Sequence, residues 1–252
     1  MKYFLRKIVI YIASDRCCIW YDGEMKIVAF VKKNDPLLRR LSLTLFVFAV
    51  ATGLFFTIAK SVVNGSVLGY DEQFLLALNE RASPTLDTFF TFVTDLGGVL
   101  AVTLVTVGLL VYFLRKKLYY KTLLVAAGVG GAALLNVIAK ASFARERPDL
   151  WGQLISESTF SFPSGHAMGS SALAFTVIAL LWKTHWRIPA LVLGGSYVFL
   201  IGFSRLYLGV HYPTDVLAGW TLSLVWVVTV ATIIYTRQER RAMDTKAYLE
   251  SI

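Results

Sequence analysis

The chain has 252 residues, of which 56% are hydrophobic and only 16% charged, with a mean hydropathy of +0.62. A water-facing surface cannot cover so large an apolar fraction, which excludes a soluble globular enzyme, a disordered regulator and a fibrous repeat and leaves an integral membrane protein. A net charge of +9 would suggest nucleic acid in a soluble protein. Here the basic residues flank apolar runs, where they set topology and meet anionic headgroups, so no nucleic-acid partner is expected.

The amino terminus reads basic and then apolar: Lys2, Arg6 and Lys7 precede Ile8 to Ala13. That run is too short for a span and no small-residue cleavage site follows it. Residues 1–40 are therefore assigned to a cytoplasmic or interfacial extension. Met25 opens a second basic and apolar stretch and marks an alternative start, with residues 1–24 expected to be dispensable. Cys17 and Cys18 are adjacent, which disfavours a strain-free disulfide, and their spacing matches no metal site.

A helix needs about 20 mostly apolar residues to cross the hydrocarbon core. Six such runs follow: Leu41 to about Ala59, one within Leu86 to Leu114, Leu118 to about Ala139, Ser164 to Trp182, Ile188 to about Phe203, and about Thr214 to Tyr235. Basic clusters fall on one face: Lys32, Lys33, Arg39 and Arg40; Arg115, Lys116, Lys117 and Lys121; Lys183 and Arg187; Arg237, Arg240 and Arg241. The other face carries Asp71, Glu72, Glu80 and Asp87. Short basic loops stay in the cytoplasm, so the expected fold is all-α, a six-transmembrane-helix bundle with both termini cytoplasmic. Residues 41–235 form the membrane domain and 236–252 a basic cytoplasmic tail. Trp182, Trp186, Trp220 and Tyr235 read as interface anchors, and Gly128, Gly130, Gly131, Ala132 and Ala133 as a close-packing surface.

Three polar islands stand at the extracytoplasmic ends of these spans. They are the stretch from Lys140 to Arg147 and Pro148; Pro163, Ser164, Gly165 and His166; and the stretch from Ser204 and Arg205 through His211 to Asp215. Singly, each has a plain explanation as snorkelling charges, a helix cap or an i,i+4 pair. Together they hold two of the three histidines and basic side chains, Lys140, Arg147 and Arg205 among them, on the face where topology disfavours them. Lys140, Arg147 and Arg205 can surround a dianion. Backbone N–H groups from Ser164 to His166, at the start of a helix, add to a phosphate cradle. His211 is a candidate nucleophile, Asp215 fixes its tautomer, and His166 is free to protonate a leaving oxygen.

The three islands resemble the signature of the type 2 phosphatidic acid phosphatase superfamily, K-x6-RP, PSGH and SR-x5-H-x3-D, with every fixed position present. The resemblance spans about Leu41 to Tyr235. It implies His211 as nucleophile, Asp215 as its orienting partner and His166 as general acid, with Lys140, Arg147, Ser164, Gly165, Ser204 and Arg205 binding phosphate. It also implies catalysis without metal or cofactor on a lipid phosphate held in the bilayer. Similar bacterial members act on undecaprenyl diphosphate, phosphatidylglycerol phosphate or phosphatidic acid, and the first best suits an extracytoplasmic site in a plasma membrane. Rival readings are a phosphotransferase using the same phosphohistidine, a vanadate-dependent haloperoxidase, which would be soluble, and a non-catalytic lipid-phosphate transporter. Residues 149–160 and 62–87 are expected to shape headgroup access, and His185 to be a solvated loop residue on the other face.

Overall fold

The computed structural model describes residues 19–20, 28–29 and 36–250, except Gln153 and Ser156. The readings of Cys17, Cys18 and Met25 lie outside the described residues. The chain divides into two units between Val47 and Phe48. In the first, β1 (Ile19–Trp20) pairs antiparallel with β2 (Val28–Ala29), Ile19 facing Ala29. The second is helical among its described residues.

Helix α1 covers Pro36–Val63, α2 Leu68–Asn79, α3 Pro84–Leu96 and α4 Val99–Arg115. Then come α5 (Tyr119–Val125), a π turn (Ala126–Gly130), α6 (Gly131–Phe143), α7 (Gly165–Leu181), α8 (Arg187–Tyr207) and α9 (Pro213–Glu250). Five helical segments are long and apolar enough to cross a membrane: Ser42–Val63, Pro84–Arg115, Tyr119–Phe143, Arg187–Tyr207 and Pro213–Arg241. Helix α7 is apolar but has only 17 residues.

Two departures from the sequence reading are physical. The second apolar run is not one helix; Gly97 and Gly98 interrupt it, and a side chain at Gly97 would stand 2.3 Å from Ile201 of α8. The acidic stretch after α1 forms α2, whose Asp71 and Leu75 are buried. Helix α2 was not visible as a span because it is short, while α3, inside the second apolar run, buries one face through Phe90, Val93 and Thr94.

Helix α7 is the centre of the helical unit. Eight of its residues, from Ala167 to Thr176, are buried against neighbours that include α8 and α9. Among its polar side chains, Ser171 meets Ser223 of α9, the two hydroxyls lying 2.6 Å apart. Of the small residues in the expected close-packing surface, Gly128 and Gly131 permit close approach, whereas Gly130 meets open space and Ala133 is exposed. A Cβ at Gly128 would stand 2.6 Å from Thr176, and one at Gly131 2.3 Å from Trp226. At the π turn the Ala127 carbonyl accepts both from the Gly131 N–H and from the Trp226 indole N–H, the latter at 2.8 Å. Trp220 is a correction: it packs inward against Gly202 and Val216's cluster, not at an interface.

The helix ends sort into two groups. At one end the Tyr207 hydroxyl donates to Asp87 at 2.6 Å, and Ser164 N–H to the Asp215 carbonyl at 3.1 Å. At the other, Tyr235 donates to the Ala179 carbonyl at 2.8 Å, Arg241 to Tyr120 at 3.1 Å, and Lys183 pairs with Glu239 at 2.9 Å. Helices α7 and α9 therefore run parallel, and all three polar islands sit at the first end. His185 is exposed near the second end, as expected.

Candidate active site

The start of α9 fixes the histidine. Pro213 at the first helical position suits a residue with no N–H to lose, and the Asp215 carboxylate reaches back to accept from the Tyr212 N–H at 2.9 Å, a capping-box arrangement. The same oxygen lies 3.3 Å from His211 Nδ1. On the opposite edge of the ring, Arg147 Nη1 is 3.0 Å from Nε2. A guanidinium can only donate, so Nε2 is the acceptor and the ring proton sits on Nδ1, facing the carboxylate. His211 is 1% exposed and held well below its ordinary pKa, first by burial and then by Arg205, Arg147 and Lys140. It is a neutral imidazole with its lone pair aimed at a cluster of cations.

Those cations arrive from separate elements. Lys140 comes from the last turn of α6, Arg147 from the segment after it, and Arg205 from the last turn of α8. Arg205 is fully buried, donates to Thr94 of α3 at 2.7 Å, and carries a buried Nε without a hydrogen-bond partner in the structure. Ser164 caps α7, its side chain accepting from Ala167 N–H at 3.4 Å. The N–H groups of Gly165 and His166, in the first turn, have no helical carbonyl behind them. Gly165 also makes room: a Cβ there would stand 3.3 Å from Asn136 and 3.9 Å from Lys140. Asn136, one turn before Lys140, donates to the Pro163 carbonyl at 3.2 Å and ties α6 to this loop. Gly209, at φ +67, turns the chain from α8 to His211 where Trp151 leaves no space for a side chain.

Glu157 is the residue that the sequence did not reveal. Its carboxylate pairs with Arg205, lies 3.6 Å from Arg147 and 4.0 Å from His166 Nδ1. Burial raises its pKa, but Arg205, Arg147, His166 and His211 outweigh that and hold it below its usual range. Next to it, the Thr159 hydroxyl accepts from Lys140 at 3.2 Å and from Arg147 at 3.3 Å, and the Thr159 carbonyl accepts from Arg147 Nε at 2.7 Å. The Phe160 carbonyl accepts from Lys140 as well. Lys140, Arg147, His166, Arg205 and His211 thus gather about one short segment, and Ser164 and Gly165 border it. Ser204 is different: its buried hydroxyl donates to the Ile201 carbonyl at 2.7 Å, so its proton is committed within α8. A cleft of about 610 Å³ opens beside the segment, lined by Lys140, Arg147, Glu157 and Phe160 together with the apolar Val137 and Ala141 of α6.

Behind His211 lies a second group that the sequence reading passed over. Arg145 pairs with Asp215 at 2.7 Å and with Asp71 at 2.8 Å. No spacing rule could link Asp71 to a site more than 70 residues away. Arg145, two residues before the signature arginine in a run of charges, was hidden by its neighbour.

Residues 119–239 match the model of the PAP2 superfamily. Phosphatidylglycerophosphatase B of Bacillus subtilis is 36% identical over 187 residues, covering 70% of this chain and 89% of that protein. Undecaprenyl-diphosphatase of Sulfolobus acidocaldarius is 29% identical over 160 residues, covering 62% and 74%. The crystal structure of a transmembrane PAP2-type phosphatidylglycerolphosphate phosphatase from Bacillus subtilis superposes with a TM-score of 0.68 at 28% identity, covering 77% of this chain and 97% of that one. The 36% identity to the Bacillus subtilis phosphatidylglycerophosphatase B, over 89% of that protein, carries the resemblance of the three islands to a conclusion: the chain belongs to the PAP2 superfamily of phosphatases.

Proposed function

We propose that this protein hydrolyses the phosphate of a membrane lipid headgroup through a phosphohistidine at His211. The observation that carries the reading is the place of Glu157: an anionic carboxylate lies among Arg205, Arg147 and His166, on the lone-pair side of His211. A phosphate there would meet the same cations, and the orphan Nε of Arg205 would gain an acceptor.

Bound in this position, a phosphoryl group is held by Lys140, Arg147 and Arg205 and by the first N–H groups of α7. His211 Nε2 attacks phosphorus, the bond to the leaving oxygen breaks, and His166, whose pKa burial and then Arg205 lower to about 4, takes on a proton beside the bound phosphate dianion and delivers it to that oxygen. The ring now bears a positive charge, which Asp215 stabilises at Nδ1. Water, losing its proton to His166, then attacks phosphorus, the P–N bond breaks, and inorganic phosphate leaves. Three cationic side chains supply the charge stabilisation that a metal ion gives other phosphatases, so turnover should survive EDTA.

The membrane reading extends to six crossings. Helix α7 runs beside α9, from the Ser164–Asp215 contact to the Ala179–Tyr235 contact, which spans the same depth. Its 17 residues are about 25 Å long, close to the hydrocarbon thickness. With basic clusters 115–121, 183–187 and 237–241 gathered at the far end, both termini are cytoplasmic and the site faces outward. The apolar Val137 and Ala141 at the cleft suit a substrate whose chains remain in lipid. Outward topology favours undecaprenyl diphosphate, whereas the 36% identical relative is named for phosphatidylglycerophosphate.

The decisive assay is release of inorganic phosphate by detergent-solubilised protein over undecaprenyl diphosphate, phosphatidylglycerol phosphate and phosphatidic acid, with and without EDTA. Release by wild type and none by His211→Ala is the expected result. A wild type that moves phosphate only to an acceptor lipid would reassign it as a transferase.

A further inference from the structure

Arg145 lies outside the phosphate cradle although it is only two residues from Arg147. Its Nη1 donates to Asp215 Oδ1 and to the Thr214 hydroxyl, each at 2.7 Å, and its Nη2 to Asp71 Oδ2 at 2.8 Å. Its guanidinium carbon stands 4.0 Å over the centre of the Tyr212 ring. Both arms of the fork and one face are therefore occupied within the fold, although the residue also borders the cleft beside Lys140. Asp71 in turn accepts from Thr214 twice, from its N–H at 3.2 Å and its hydroxyl at 2.5 Å. Asp71 and Asp215 side chains are 4% and 0% exposed.

From this geometry we infer that Arg145 and Asp71 are positioning residues for phosphoryl transfer, acting through Asp215 on His211. The inference rests on the proposed role of His211 as nucleophile. Two demands meet at Asp215. One oxygen must stay aligned with Nδ1, and the group must keep negative charge for the imidazolium that forms on attack. Arg145 satisfies the first by tying down the other oxygen with a fork that has no rotational freedom. Asp71 satisfies the second. A lone buried arginine would neutralise Asp215, whereas an Asp71–Arg145–Asp215 chain carries a net charge of one negative, left over for the histidine. Helix α2 thereby acquires a purpose: it delivers Asp71 to the start of α9.

The test is a double-mutant cycle in the full-length, detergent-purified protein, following phosphate release from a lipid it turns over. Arg145→Gln should lower kcat about 100-fold with KM changed by less than about 3-fold, and Arg145→Lys should recover part of the loss. In an Asp215→Asn background the same Arg145→Gln change should cost less than about 3-fold, because the link it serves is gone. Losses that multiply in the double variant, or a loss confined to KM, would overturn the proposal. Should Arg145→Gln fail to fold, as judged by size exclusion, Asp71→Asn takes its place, with an expected kcat loss of about 5-fold to 10-fold that also vanishes with Asp215→Asn. An active His211→Ala would instead remove the underlying assignment, so the two failures are distinguishable.

Discussion

The two sides of the site are built differently. The nucleophile side, His211 with Asp215, Arg145 and Asp71, is closed: these side chains are between 0% and 12% exposed and nearly every polar atom has a partner within the fold. The cradle rim is held differently: Lys140 by the Thr159 hydroxyl and the Phe160 carbonyl, both residues exposed, and Arg147, itself only 11% exposed, by the same two residues and Glu157 outside and by the Val210 carbonyl and His211 inside. A phosphate cannot take up its position without replacing some of those contacts. On the proposed mechanism the closed side is pre-organised for the chemical step, and the rim exchanges one set of partners for another as substrate enters. Damage to the first should therefore appear in kcat and damage to the second in KM.

The largest break of that contrast is His211→Ala, which removes the proposed nucleophile and should lower kcat by at least about 10⁴-fold while leaving competitive inhibition by inorganic phosphate in place. Loss of phosphate inhibition together with turnover would mean that the ring is needed to build the cradle. Arg205 belongs to both sides, fully buried yet touching Glu157. Arg205→Lys keeps the charge and loses the paired donors toward Thr94 and the phosphate, and should cost about 10²-fold to 10³-fold in kcat/KM. A variant with wild-type kcat/KM would exclude Arg205 from transition-state stabilisation.

The pH dependence sharpens the same division. In the proposed mechanism His211 acts as the neutral ring, and its folded pKa is depressed, first by burial and then by Arg205, Arg147 and Lys140. A depressed pKa keeps the reactive form present further into acid, so the acid limb of kcat/KM should fall below about pH 6.5, the ordinary histidine value. A limb at or above that pH would contradict a buried neutral nucleophile.

Much of this was legible in the sequence because the signals were local. Apolar runs near 20 residues marked the helices, and polar islands at their ends could not be lipid-facing. Lys140, Arg147, His166, Arg205, His211 and Asp215 followed from chemistry and spacing. What stayed hidden depends on contacts between distant segments. Glu157 lies in a stretch with no periodicity, so nothing in it foretells an encounter with Arg205, 48 residues on. Asp71 reads as one more acid in a loop until α2 folds and docks beside Thr214. Ser204 fits the signature, yet its rotamer returns the hydroxyl to its own helix. Trp220 shares the composition of an interface anchor, but the glycine at 202 opens an inward berth for it.

Glu157→Gln gives the smallest effect and the finest test. The carboxylate competes with phosphate for Arg205, Arg147 and His166, and a neutral amide competes less. Substrate KM and the inhibition constant of inorganic phosphate should both fall a few-fold, on the order of 0.5–1 kcal/mol for a partly exposed ion pair. The same negative charge raises the pKa of His211, so its removal should carry the acid limb of kcat/KM further into acid. Comparing variant with wild type on one substrate cancels the titration of the substrate's own phosphate. If instead kcat dropped steeply with no change in phosphate inhibition, Glu157 would belong with the closed side, as a proton partner of His166. The boundary between the two sides would then have to be redrawn through residue 157.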